Sequence, residues 1–183
     1  PTDTTDKAAV QNMYDKTLKK FGRFDILGNC GGKSDLCPLE DMSVELWEQC
    51  LKSYLTSVFL CTQTAYKIMR ENSGGNIINI ASMYGVVAPD QRIYGDRVQH
   101  TPGHYGDAKG CVIQFTRYCA TYIAKDNIRV NSISPGPFSN FAPGEKVELR
   151  IKTGMKSPME RIGKPWELKG AVVYLASDAS TYV

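Results

Sequence analysis

The chain has 183 residues, 42% hydrophobic and 22% charged, which are the proportions of an ordinary globular domain and not of a disordered or membrane-embedded chain. Its 22 basic and 19 acidic residues leave a formal charge of +3 and include no Lys/Arg run, which argues against a nucleic-acid partner or a membrane-surface patch. Apolar stretches such as Leu55 to Cys61 are too short to span a bilayer, and the six cysteines form no CxxC pair, so the expectation is a reduced, cytoplasmic setting with buried thiols and no zinc.

Helix and strand signals alternate along the chain, the pattern of an α/β fold with a parallel sheet and crossover helices. The first predicted helix runs from Asp6 to Phe21, with Val10, Met13 and Phe21 at helical spacing behind the cap Thr5. Phe24 to Gly28 reads as a short strand entering the turn-rich "NCGGKSD". From the N-cap Ser43 to Arg70 a long helix is predicted, with Trp47, Leu51, Leu55, Val58, Thr62, Ala65 and Met69 on one face. Asn72-Ser73-Gly74-Gly75 ends it. Asn76 to Ala81 has the β-branched character of a buried strand, Tyr105 to Lys125 returns to helical spacing, and Ile128 to Ser134 is the third strand. A Pro/Gly-containing loop, Pro135 to Gly163, leads to a last helix opened by Pro165. No repeat, linker or second domain interrupts residues 1–183.

Open parallel sheets bind ligands beyond the carboxyl ends of their strands. Here those ends are Asn29 to Gly32, Ser82, and Pro135 to Asn140. Tyr105 opens the helix that follows the second strand, and Lys109 stands one turn along on the same face. A phenol with an unperturbed pKa of roughly 10 works as an acid/base near neutrality only when a nearby cation favours its phenolate. Lys109 is placed to be that cation, and the Ser82 hydroxyl to hold a carbonyl or alcohol oxygen beside the phenol. Ten tyrosines predict roughly one Tyr-x-x-x-Lys by chance, so the pair gains its weight from its place between a strand ending in serine and a strand ending in Pro-Gly.

With these features in order, the sequence resembles the short-chain dehydrogenase/reductase family over almost its whole length. "TDTTD" resembles the family's segment near the adenine, "FGRFDILGNCGG" its Asn-Asn-Ala-Gly strand end, and "NIINIASMYG" its catalytic-serine strand. "YGDAK" matches the Tyr-x-x-x-Lys motif, "IRVNSISPG" the strand and turn beside the nicotinamide, and "IGKPWELKGAVVYLASDASTYV" the closing helix. The resemblance implies a Rossmann-like doubly wound sheet and an NAD- or NADP-dependent oxidoreductase acting on a small alcohol or ketone. It implies that Tyr105 is the general acid/base, that Lys109 lowers its pKa and binds the nicotinamide ribose, and that Ser82 orients the substrate oxygen. Asp3 would lie near the adenine, Asn29 and Gly31 at the cofactor's edge, and Pro135, Gly136 and Phe138 near the nicotinamide carboxamide. Relatives assemble as dimers or tetramers through the long helix and the tyrosine helix, so a homo-oligomer is implied too.

Departures from the family pattern are as informative. Tyr54 stands where the family has an asparagine that helps hold a water linking the lysine to solvent, so a slowed proton relay is expected. Cys30 and Gly31 replace an Asn-Ala pair, and Gly28 replaces a β-branched residue. The connection from Ser82 to Tyr105 is longer than usual; its Arg92, Tyr94, Arg97 and His104 read as solvated loop residues sooner than substrate contacts. "SMYGVVAPDQRIYG" and "SPGPFSN" resemble members tied to bacterial surface-sugar pathways, which adds a sugar derivative to the substrate classes. His100 and His104 form no metal pair, because Pro102 and Gly103 break the helix that their spacing would need.

No Gly-rich dinucleotide fingerprint precedes the first helix, and the residue that selects the ribose 2′-hydroxyl or its phosphate is missing with it. By comparison with the family, the chain reads as a fragment lacking the N-terminal cofactor half and the last strand. Two other readings stay open: a sugar dehydratase or epimerase on the same scaffold, and a non-catalytic dinucleotide-binding or interaction relative.

Overall fold

Parallel strands can be joined only through crossover connections, and two such βαβ crossovers organise this chain. The structure is a computed structural model, and it describes residues 1–94, 101–138 and 147–183. In chain order come α1 (Lys7–Phe21), β1 (Ile26–Asn29), α2 (Val44–Leu51), a π turn (Lys52–Thr56), α3 (Ser57–Glu71), β2 (Gly75–Ile80), α4 (Gly103–Ile123), β3 (Ile128–Ile133), α5 (Val147–Gly154) and α6 (Lys169–Ala176). The sheet is parallel with order β1-β2-β3; Ile26 pairs with Asn76 and Asn29 with Asn79, while Gly75 pairs with Ile128 and Ile80 with Ile133.

Both faces of β2 are covered, which is why its sequence is almost continuously apolar. On one face Ile77 packs with Val10 and Tyr14 of α1, Cys61, Ala65 and Met69 of α3, and Cys119 and Ile123 of α4. Burying a side chain such as Ile77 or Met69 stabilises the fold by about 1.5–3 kcal/mol each. On the other face α6 is tied down by the Asn76 amide, which donates to the Leu175 carbonyl, and by Arg129, which reaches the same carbonyl at 2.9 Å. The Tyr14 hydroxyl, wholly enclosed, donates to the Cys61 carbonyl at 2.9 Å, and burial pushes its pKa well above the usual tyrosine range.

Four expectations need correction. Asp6, not Thr5, caps α1: its carboxylate accepts from the Ala9 N–H at 2.6 Å, because the Thr5 hydroxyl is already donating to Asp3 at 2.7 Å. The first strand begins two residues later than expected and ends one residue later, at Ile26–Asn29. The stretch expected as loop from Pro135 to Gly163 contains α5. Pro165 opens a 3-10 turn, Pro165–Leu168, that runs into α6 and is held by Glu167 accepting from the Lys164 N–H at 2.7 Å.

Strands β1 and β3 are the sheet's two edges among the described residues. Beside β1 lies a groove of about 310 Å³ whose lining includes Thr4, Met13, Thr17, Phe24, Asn29 and Gly31. No helix among the described residues is long and apolar enough to cross a membrane. All six cysteines are free thiols; Cys50, Cys61 and Cys119 are buried, whereas Cys30 and Cys111 are exposed, so the expectation of buried thiols holds for half of them.

Candidate active site

The carboxyl ends of the three strands and the first turns of α4 meet at one end of the sheet, the candidate crevice. Ser82 follows β2, buried at 7% exposure, and its Oγ accepts from the Tyr84 N–H at 3.2 Å as the cap of a 3-10 turn, Met83–Gly85. That bond uses a lone pair and leaves the hydroxyl proton for another acceptor. The Met83 N–H donates to the Pro135 carbonyl at 3.0 Å, which joins the serine turn to the Pro-Gly turn after β3.

Three glycines let this turn lie directly on α4. A Cβ on Gly85 would come within 2.6 Å of the Lys109 carbonyl carbon, one on Gly106 within 2.9 Å of the Tyr84 oxygen, and one on Gly110 within 3.4 Å of the Gly85 oxygen. The seam sets the turn that Ser82 caps against the α4 backbone at Gly106, Lys109 and Gly110. Two glycines inside a helix cost about 1 kcal/mol each relative to alanine, and that local cost is the sequence signal for close packing which the motif reading passed over. Gly85→Ala is expected to force the turn off the helix, destabilising the protein by about 1–3 kcal/mol. Thermal unfolding would show this as a fall of about 2–12 °C, and an unchanged midpoint would count against the seam.

Lys109 is buried, with its Nζ donating to the Ile80 carbonyl at 2.6 Å. It lies 5.9 Å from the Tyr105 ring centroid and 4.8 Å from that of Tyr54. Burial pushes the Lys109 pKa below the usual lysine value, against a smaller opposing pull from the Cys30 and Cys50 thiols. Tyr105, in the first turn of α4, meets the Tyr54 ring edge to face at 5.3 Å.

The expected cofactor residues occupy the same end of the sheet in two groups. Asp3, fully exposed, turns its carboxylate onto the Thr5 N–H and hydroxyl, which lower its pKa, while Thr4 beside it lines the groove with Asn29 and Gly31. Gly31 and Gly136 both face open space, with no atom within 4 Å of a Cβ, as the approach of a ligand to backbone would require. Phe138 seats its ring on Gly163, where a Cβ would be 2.4 Å from the ring.

The Asn29 amide, by contrast, is directed inward. It donates to the Asn79 side-chain oxygen at 2.8 Å and to Thr62 at 3.3 Å; the Asn79 amide in turn donates to Thr116 at 2.9 Å, and Thr116 to the Val112 carbonyl at 2.8 Å. This buried chain of polar groups links β1, β2, α3 and α4 directly beneath the crevice, and it has no counterpart in the motif reading.

Of the long connection, Arg97 and His100 lie outside the described residues, as does Asn140. The expectation of a solvated loop fails for two of the others: Tyr94 is buried and bonded to the Thr101 hydroxyl, and His104 is wholly enclosed at the start of α4. Arg92 is exposed but pairs with Asp90 at 2.8 Å, and Asp90 also holds Lys156 at 2.8 Å. No cluster of three or more His, Cys, Asp or Glu side chains suited to a metal ion occurs among the described residues.

Comparison with known proteins finds matches over the full chain. A family model described as Enoyl-(Acyl carrier protein) reductase covers residues 1–183. A (5R,7aS)-5-hydroxy-7a-methyl-1-oxo-2,3,5,6,7,7a-hexahydro-1H-indene-carboxyl-CoA reductase of Mycobacterium tuberculosis is 33% identical over 99% of this chain and 66% of its own length. A cis-4-hydroxycyclohexanecarboxylate dehydrogenase of Sinomonas cyclohexanicum is 31% identical over 100% of this chain and 70% of its own. The crystal structure of a short chain dehydrogenase from Leptospira borgpetersenii with bound NAD+ superposes with a TM-score of 0.88 at 34% identity, covering 99% of this chain and 68% of that one. The chain thus spans about two thirds of the length of the curated relatives it matches.

Proposed function

The chain belongs to the short-chain dehydrogenase/reductase family, and on that premise we propose that the full-length protein is an oxidoreductase interconverting a small alcohol and the matching ketone with NAD or NADP. One observation carries the reading: Ser82 is held by the glycine seam against the first turns of α4, which present Tyr105 and Lys109 one turn apart.

The residues at the strand ends suit a dinucleotide lying across them. Asp3 would meet the adenine end, the backbone at Asn29 and Gly31 the middle, and Lys109, Pro135, Gly136 and Phe138 the nicotinamide end. The nicotinamide supplies or takes up the hydride when bound. Tyr105 gives its phenolic proton to the substrate oxygen during reduction and recovers it during oxidation. Ser82, whose hydroxyl proton is left over from its cap bond, donates to the same oxygen and fixes its direction. Lys109 has three N–H donors, one spent on Ile80, and its positive charge stabilises the negative charge that builds on the phenolic oxygen as the proton leaves. A sugar derivative falls within the substrate classes that this site would take.

A cytoplasmic setting and a homodimer or homotetramer belong to the same proposal. The free thiols support the first. The exposed aromatic residues Phe59, Tyr118 and Tyr122 on α3 and α4 support the second.

The test is a panel of sugars, cyclic alcohols and their ketones offered with NAD and with NADP to the full-length protein, followed by the absorbance of reduced nicotinamide. Net cofactor turnover, one equivalent per substrate converted, is expected. Product formed without net cofactor change would replace this reading with the dehydratase or epimerase one, and tight dinucleotide binding with no product at all would replace it with the binding-protein one.

A further inference from the structure

Tyr54 stands in the middle of the π turn, Lys52–Thr56, that interrupts the otherwise continuous helix from α2 to α3. A π turn takes in one residue more than an α turn and so redirects the side chains it carries; such insertions recur at functional sites. Here the redirected ring is enclosed on three sides. The Lys109 Nζ lies 4.8 Å from its centroid, nearer than to the Tyr105 ring at 5.9 Å. The Tyr105 ring meets it at 5.3 Å with an interplanar angle of 79°. On a third side is Gly32, with φ of 149°, where a Cβ would lie 2.1 Å from the ring.

Resting on the proposed function, we propose that Tyr54 is a positioning residue: its ring face holds the Lys109 ammonium by a cation–π contact and its edge-to-face contact sets the Tyr105 ring, with Gly32 as its seat. The working element is the aromatic ring and not the hydroxyl, a task different from the water-holding one implied for an asparagine at this point in the family.

The physical reason lies in where Lys109 sits. Groups facing its Nζ are the Ile80 carbonyl, the rings of Tyr54 and Tyr105, and the thiols of Cys30 and Cys50. None of these is a carboxylate. A buried ammonium in such company loses its charge more readily than one in water, and an aromatic face restores part of the lost stabilisation because the ring's quadrupole is negative there. Without the ring, Lys109 gives up its proton at lower pH and its chain gains freedom to leave the Ile80 carbonyl.

The experiment compares Tyr54→Phe, which keeps the ring, with Tyr54→Leu, which removes it, in the full-length protein. The turnover rate in Tyr54→Phe is expected to stay within about twofold of the unmodified protein. In Tyr54→Leu it falls about tenfold, with the alkaline limb of the pH profile moved to lower pH. A second readout needs no turnover: lysines methylated with carbon-13 are titrated by NMR, the Lys109 signal being assigned by its loss in Lys109→Arg. The Lys109 midpoint is expected to drop in Tyr54→Leu and hold in Tyr54→Phe. Equal midpoints in all three proteins would overturn the clamp, and so would a Tyr54→Phe that behaves as Tyr54→Leu. If the unmodified protein turns over no substrate, the proposed function falls, and the titration still decides the clamp.

Discussion

Replacing Tyr105 by phenylalanine is expected to lower kcat/KM about 10²–10⁴-fold, the usual worth of a positioned general acid/base. The change removes one oxygen and leaves the ring that packs against Tyr54, so the fold and the affinity for dinucleotide should be preserved. That combination distinguishes lost chemistry from lost structure. A variant as active as its parent would show that another group moves the proton, and one that no longer melts cooperatively would show only that the phenol supports α4. Rates with NAD or NADP in saturating amount, taken together with the dinucleotide Kd, make the comparison.

Asn79→Ala is expected to have the largest effect on stability. The side chain is wholly enclosed; its oxygen takes the Asn29 amide proton and its own amide serves Thr116, so truncation removes one bond from the half-buried Asn29 and one from the buried Thr116 and opens a small void. Leaving a buried polar group without its bond costs about 1–3 kcal/mol, and the two losses share one site and overlap. About 2–4 kcal/mol in all corresponds to a fall in Tm of about 4–16 °C. Because Asn29 ends β1 and Thr116 lies two turns beyond Lys109 on α4, the loosened network would also slacken the crevice. A Tm within about 1 °C of the parent would mean that water replaces the amide and that the chain of bonds is not a structural tie.

The parts of the fold that read clearly from sequence are those where burial leaves a strong pattern. β2 and β3 fall within a residue of their expected bounds because Ile77, Ile78, Ile128 and Val130 are enclosed and the runs are accordingly apolar. Ser43 caps the long helix as expected, with its Oγ accepting from the Leu46 N–H at 3.2 Å. The π turn within that helix left no trace, since one added residue shifts the periodicity by less than the width of the apolar face. α5 reads as loop for a related reason: Val147 and Ile151 share a face by spacing, yet both are exposed, so no stripe is selected. At the N-terminus, Thr5 and Asp6 are both good caps, and only the bond from Thr5 to Asp3 decides between them.

The candidate site is read from sequence through local patterns of the same kind. Tyr105 and Lys109 at helical spacing, a serine after one strand and Pro-Gly after the next are local patterns, and the fold brings them into one crevice. What surrounds them depends on contacts between residues far apart in the chain. Tyr54 meets Lys109 across 55 positions, Asn29 meets Asn79 across 50, and Gly85 meets Lys109 across 24. No spacing rule registers such pairs. Tyr94 and His104 were placed in a solvated loop because polar residues between Pro and Gly usually are. Tyr94 directly follows the 3-10 turn Gln91–Ile93 and bonds to Thr101, and His104 lies in the first turn of α4, which begins at Gly103.

The most direct test of the account is a crystal structure of the full-length protein with dinucleotide and an unreactive analogue of its alcohol. The account predicts that one oxygen of the analogue lies within about 2.6–3.2 Å of both the Tyr105 hydroxyl and the Ser82 Oγ, with the Lys109 Nζ still on the Ile80 carbonyl and against the Tyr54 ring. An analogue whose oxygen is held by other side chains, with Tyr105 beyond the reach of even one bridging water, would contradict it.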